Sequence, residues 1–136
     1  MILMTEETIF TKIVKGEIPA AKVYEDDEFL AFMDIRPVNK GHALVITKEV
    51  YPTLKEMPED MVARMFKVVH KLTGPVMEAV GAPMFNWYVI GDEVPHAHIH
   101  IVPRYEGDGK LSLSHGKYEK DEIEQYAEEI RKKMDM

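Results

Sequence analysis

The sequence predicts an α+β fold in which antiparallel strands carry helices on one sheet face. Three observations lead there. Hydrophobic periodicity runs in the order helix, strand pair, strand, helix, strand pair, helix. Turn chemistry separates the early strands, at Asp26-Asp27 and at "NKG" (Asn39–Gly41). The 136 residues are 46% apolar, enough for one ordinary core, and predict a single domain over 1–136.

Thr5 is placed to cap a first helix, with Glu6 and Glu7 favourably near its positive end. Ile9, Phe10, Ile13 and Val14 fall on one face of that helix, and Gly16 ends it. "AKVYEDDEFLAFMDI" reads as a hairpin of Lys22–Glu25 and Glu28–Met33. "HALVIT" (His42–Thr47), rich in branched residues, is a third strand. From Pro58 the period becomes helical: Met61, Met65, Val68, Val69, Leu72, Val76 and Val80 form a stripe, which Gly74-Pro75 should kink or split. Met84–Ile90 and His96–Val102 are two more strands joined through "GDEVP". Residues 108–116 read as a polar loop. The tail "EKDEIEQYAEEIRKKM" places Ile123, Tyr126, Ala127 and Ile130 on one side of a terminal helix.

Composition narrows the function. A formal charge of -7 argues against a nucleic-acid partner, because that surface repels phosphate backbones, but it leaves room for a small nucleotide in a local pocket. With no cysteine, disulfides, thiol nucleophiles and Cys-based zinc sites are excluded. The N-terminus lacks a basic region and a long apolar stretch, and no run of about 18 apolar residues exists, so neither a signal peptide nor a membrane partner is expected. A soluble, cytoplasmic protein is the expectation.

"VPHAHIHIVPR" (Val94–Arg104) holds three of the six histidines at alternate positions. On a strand His96, His98 and His100 share one face, while Ala97, Ile99 and Ile101 anchor the other. A purely structural row is hard to satisfy, since each buried imidazole needs partners for both ring nitrogens. A metal site is a second reading. His96 and His100 are about 13 Å apart at roughly 3.3 Å per residue, so three do not converge on one ion, but two could ligate with His42 or a carboxylate. The third reading is nucleophilic catalysis at phosphorus: a neutral imidazole attacks, its neighbours donate N–H groups to phosphoryl oxygens, and the cationic imidazole then leaves to water.

These residues resemble the histidine triad (HIT) family. "HAHIHIV" fits its pattern of three histidines alternating with apolar residues and closed by two more, and "TIFTKIVKGEIPAAKVYEDDEFLAFMDIRPVNKGHALVITK" (Thr8–Lys48) and "PRYEGDGK" (Pro103–Lys110) are similar to other parts of the family. The resemblance spans residues 8 to 131. It implies a five-stranded antiparallel sheet with a long helix and a C-terminal helix, usually paired into a two-fold homodimer. It also implies a nucleotide hydrolase, phosphoramidase or transferase that cleaves AMP-like or GMP-like conjugates at the α-phosphate, with no cofactor and no metal. By the same resemblance His98 is the nucleophile, His96 and His100 orient it and contact phosphate or leaving-group oxygens, and His42 completes the hydrogen-bond network. Asp34 matches the acid that holds ribose hydroxyls, and Ile9, Phe10, Ile13, Phe32 and Ile35 match the lining of the base pocket. For Ile13 and Phe32 core packing is an equal reading, and Asp34 could be a turn residue.

The segment "NWYVIGDEVPH" departs from the family, which commonly shows Asn-x-Gly and then Gly-Gln-x-Val, with Ser or Thr often after the Gln. Here Asp92 stands at the Gln position, Glu93 at the Ser/Thr position, and Asn86 is about one residue out of register. Two explanations stay open: a solvated turn, or a carboxylate, Glu93 the better placed, that faces a cationic leaving group or gives it a proton. Two rival functions also remain, a nucleotide-binding module that has lost catalysis and a metal-binding protein built on the histidine row. His70 on a helix flank and His115 in the polar loop receive no role, and "SLSH" (Ser112–His115) is only weakly placed to approach the leaving group.

Overall fold

The computed structural model describes residues 7–91, 93–109, 118–122, 124, 125, 128 and 131. Its elements run α1 (Ile9–Val14), β1 (Lys22–Glu25), β2 (Phe29–Met33), β3 (Ala43–Thr47), α2 (Glu59–Val80), β4 (Met84–Tyr88) and β5 (His98–Arg104), with a 3₁₀ turn at Leu54–Glu56 that the sequence reading lacks. The five strands form one sheet in the order β1-β2-β3-β5-β4, every pairing antiparallel. Asp92, Ser112 and His115 lie outside the described residues, as do Ile123, Tyr126, Ala127 and Ile130 of the tail; Glu122, Glu124, Gln125, Glu128 and Arg131 are helical.

The expected turns form for the reasons their residues suggest. Asp26 Oδ1 accepts the backbone N–H groups of Glu28 and Phe29, both at 2.8 Å, which closes the hairpin between β1 and β2. At the "NKG" turn Gly41 has φ +96°, and a Cβ there would meet Val80 at 3.0 Å and Pro103 at 3.1 Å. Glycine lets this turn sit against the end of α2 directly before His42. Asn39 fastens it from outside, its Nδ2 donating to the Pro103 carbonyl and to Asp108. Asp108 is thereby held in place, with Arg104 and the Tyr105 backbone N–H also on its carboxylate, instead of opening a loose loop.

Three expectations need correction. The helices do not share a face. Phe29, Ala31, Val45, Ile99 and Ile101 pack under α2 with Met61, Met65, Val68, Val69 and Leu72, whereas Leu30, Phe32, Leu44 and Ile46 pack with Phe10 and Ile13 of α1. The cause is composition: β2 and β3 are apolar on both faces, so each face needs a cover. α2 also runs unbroken through Gly74-Pro75. Proline removes one helical N–H, but Thr73 bonds back to the Val69 carbonyl and receives the Trp87 indole N–H at 3.0 Å, which fixes that turn on the sheet. Finally, the cap of α1 is Thr8, not Thr5: its hydroxyl accepts from Phe10 and Thr11, and the Thr11 hydroxyl returns a bond to the Thr8 N–H.

Met65 stands at the centre of the α2 layer with no exposure. Truncation to alanine leaves a cavity between helix and sheet, and Met65→Ala is expected to cost about 2–5 kcal/mol. Urea unfolding should show a lower midpoint at an unchanged slope.

Candidate functional site

On the α1 face of the sheet lies a cleft of about 700 Å³. This is ample for a nucleotide-sized ligand. His42, His98 and His100 line it together with Asp34 and Glu93, and its apolar wall includes Ile9, Phe10, Ile13, Phe32 and Ile35. The structure therefore brings ten of the eleven sequence-selected residues to one cavity. His96 is the exception.

All three histidines of the row are buried, with 0%, 2% and 8% exposure for His96, His98 and His100. Strand β5 begins only at His98, because a tight turn from the His96 N–H to the Val94 carbonyl precedes it. His96 is a satisfied core histidine. Its Nε2 donates to the Thr47 carbonyl at 2.6 Å, and its Nδ1 accepts from the Thr8 hydroxyl at 2.7 Å. With both ring nitrogens committed, the side chain offers the cleft no unpartnered ring nitrogen. It still orients the next histidine, through its backbone: the His96 carbonyl accepts His98 Nδ1–H at 2.6 Å.

Hydrogen-bond partners of fixed polarity determine each ring's tautomer. A carbonyl can only accept, so His98 carries its proton on Nδ1 and presents the Nε2 lone pair to the cleft. A backbone N–H can only donate, so the Val38 amide, 3.0 Å from His42 Nδ1, leaves the His42 proton on Nε2. That proton points to His100 Nδ1 at 2.9 Å, and His100 consequently carries its own proton on Nε2. Among the described residues His100 Nε2 is the buried side-chain polar atom without a hydrogen-bond partner. Glu93 Oε1 stands 3.4 Å away but out of hydrogen-bonding alignment. The cleft thus sets one free lone pair, on His98, beside one unused N–H donor, on His100.

Burial pushes the pKa of His42, His96 and His100 below the usual imidazole value; the neighbouring rings add to this at His100, whereas Asp34 and Glu93 partly oppose it at His42. All three are held neutral, as the tautomer chain requires. Asp34 is a turn residue that also lines the cleft. Its Oδ1 accepts the Arg36 N–H at 2.8 Å as a turn residue, while Oδ2 lies 3.6 Å from His42 Nε2 in the cleft. Phe10, Ile13 and Phe32 likewise are core and wall at once: each is buried, and Phe10 sets its ring edge-on to Phe32, His96 and His98. Ile9 and Ile35 form the mouth, Ile35 being 91% exposed. Asn86 is occupied by Arg104. His70 is exposed on the flank of α2.

Two donor sets have metal-like spacing, Glu93 with His98 and His100, and Asp34 with His42 and His100, each within 4.8 Å. Both need a lone pair on His100 Nε2 or His42 Nε2. The Val38 amide places protons on both of those atoms, so the arrangement favours hydrogen-bond donation over ligation.

Residues 15–107 match the HIT domain. The chain belongs to the HIT domain family. Among relatives, an uncharacterized HIT-like protein of Methanocaldococcus jannaschii is 44% identical over 128 residues, covering 90% of this chain and 98% of that protein. The adenylylsulfatase of Arabidopsis thaliana is 40% identical over 110 residues, 77% of this chain and 56% of its own length. The adenosine 5'-monophosphoramidase of Schizosaccharomyces pombe is 36% identical over 133 residues, 93% of this chain and 97% of that protein. A crystal structure from Streptococcus mutans superposes with TM-score 0.85 at 36% identity, covering 96% of this chain and 87% of that one. The five-stranded antiparallel sheet and long helix are those of the HIT fold, and the histidine cluster is the family's triad. No helix among the described residues is long and apolar enough to cross a membrane.

Sequence inspection missed the backbone groups that set the tautomers, the Val38 N–H and the Thr47 carbonyl, because main-chain donors and acceptors leave no residue-type signal. Thr8 had one, its spacing to Thr11.

The neutral histidines make stability depend on pH. Their folded pKa values lie below the unfolded value near 6.5, so the unfolded chain binds more protons once pH falls below that value. Stability is fully present above pH about 6.5 and is lost as pH drops toward the folded values, at up to about 1.4 kcal/mol per pH unit for each histidine. Chemical denaturation between pH 7.5 and 5 should show this loss, with a slope approaching three protons.

Proposed function

We propose that this protein cleaves nucleoside monophosphate conjugates at the α-phosphate through a nucleotide carried covalently on His98. The observation that supports this reading most is the free Nε2 lone pair of His98 facing the cleft beside the His100 N–H donor. In the first displacement His98 Nε2 bonds to phosphorus and the leaving group departs with the electron pair of its bond. The charge that appears on the imidazole is shared with the His96 carbonyl through Nδ1–H, while His100 Nε2–H bonds a phosphoryl oxygen as charge redistributes. In the second displacement water forms the new P–O bond and His98 regains its lone pair. The leaving group takes up a proton from solvent as it departs in the first displacement, and the proton that water releases in the second returns it to solvent. Asp34 accepts from the ribose hydroxyls, and the base lies against Ile9, Phe10, Ile13, Phe32 and Ile35.

The named activities of the relatives support an adenylyl-containing substrate. They differ in what is attached to it, sulfate in one and a nitrogen in the other. Transfer to an acceptor other than water uses the same intermediate. A nucleotide-binding module without catalysis shares the cleft but needs no free lone pair in line with phosphorus.

A homodimer is the second part of the proposal. β4 is an edge strand, and Met84, Phe85 and Trp87 on it are large, apolar and partly exposed. An exposed apolar edge is a natural site for pairing with a second copy. Light scattering should give twice the chain mass, reduced to the monomer by Phe85→Lys.

His98→Ala should lower turnover of an AMP phosphoramidate roughly 10⁴–10⁶-fold, the range that loss of a catalytic group costs elsewhere, with AMP binding retained. Mass spectrometry of acid-free quenched reactions should find the nucleotidyl adduct on His98 in the unmodified protein. Undiminished turnover in the variant sinks the mechanism.

A further inference from the structure

Glu93 stands in the cleft beside the two reactive imidazoles, and the proposed reaction gives it no work. Its Oε1 lies 3.5 Å from His98 Nε2 and 3.4 Å from His100 Nε2, between the nucleophile and the unused donor. A phosphate attacked by the first and bonded by the second has to occupy that same space. The carboxylate therefore stands where the reacting phosphoryl group must sit. Its side chain is 52% exposed and projects from the irregular segment between β4 and β5, so it can turn toward solvent as ligand enters. Turned toward solvent it still leaves a negative charge on the wall of the same cleft. Among the described residues the other charged groups lining this space are Asp34 and Arg36, and the imidazoles of His42, His98 and His100 and the Tyr88 side chain are its polar lining.

We infer that Glu93 selects the leaving group by charge: the site takes conjugates in which the nucleoside phosphate is joined to an amine, and disfavours those in which it is joined to a second anion. The inference rests on the proposed nucleotide reading and deepens it. The physical ground is Coulomb repulsion. The phosphate's own charge is common to every substrate and cancels in a comparison. One further negative charge on the leaving group lies close to the carboxylate at partial desolvation, and the resulting discrimination is about tenfold or more. An amine leaving group that bears an ammonium nearby is attracted instead. Because Glu93 is half in solvent, the discrimination is screened by salt.

The test measures binding in a His98→Ala background, where no turnover interferes. Titration calorimetry compares AMP joined through nitrogen to an amine that carries a free ammonium with AMP joined to sulfate. Glu93→Gln removes the charge and keeps the shape; Glu93→Asp keeps the charge. The ratio of the two affinities should fall about tenfold in Glu93→Gln, fall far less in Glu93→Asp, and differ less between the proteins at 0.5 M salt than at 0.05 M. A change below threefold in Glu93→Gln, or an equal fall in Glu93→Asp, overturns the inference while the nucleotide reading stands. Failure of both conjugates to bind the His98→Ala protein overturns the nucleotide reading, and the inference with it.

Discussion

The Val38 N–H has a single possible role toward the His42 ring, and the site's polarity follows from it. An imidazole can be protonated on either nitrogen at small cost, so a row of neutral histidines has many near-equal arrangements. The amide removes that freedom at one end and the His96 carbonyl removes it at the other. Between them His42, His98 and His100 are left one arrangement, with a lone pair and a proton side by side at the cleft wall. Burial of the His42 and His100 rings reinforces this, since it disfavours the cationic forms that would present only donors. Backbone groups held by a packed sheet cannot rotate to suit the ligand, which is what makes the arrangement preorganised.

The same sheet explains how the two halves of the site are supported. Alternation along β5 sends Ile99 and Ile101 into the α2 layer, where Met65 and Val69 hold them, and sends His98 and His100 toward α1. Along β3 the neighbours Leu44 and Ile46 pair with His100 and His98 and pack in the apolar layer on the α1 face, where Leu44 also lines the cleft. The histidines are therefore desolvated by residues selected for packing.

Much of this was legible in the sequence, and the reasons for success and failure differ. Period-two alternation around the histidines and the helical stripe of Met61, Met65, Val68 and Leu72 are direct imprints of burial, so the strands and the long helix emerge from pattern alone. The placement of α1 opposite α2 did not, because strands apolar on both faces, such as "ALVIT", carry no sign of which face meets which helix. Pro75 misled for a related reason: the local rule was outweighed by tertiary docking of Trp87 on Thr73. For the cleft, residue types identified the carriers of chemistry, but His96 shows the limit. Its neighbours in space, Thr8 and Thr47, lie 88 and 49 positions away in the chain, and only they reveal that this ring is a structural member.

The Thr8 hydroxyl is shared between two tasks, holding the first turn of α1 and bonding the His96 ring. α1 has only six residues, short for a helix to persist without its contacts. Fraying of that turn frees the His96 imidazole and loosens the carbonyl that steers His98, although the sheet behind them is intact. The orientation of the row is consequently tied to the capped first turn of a six-residue helix as well as to the sheet behind it.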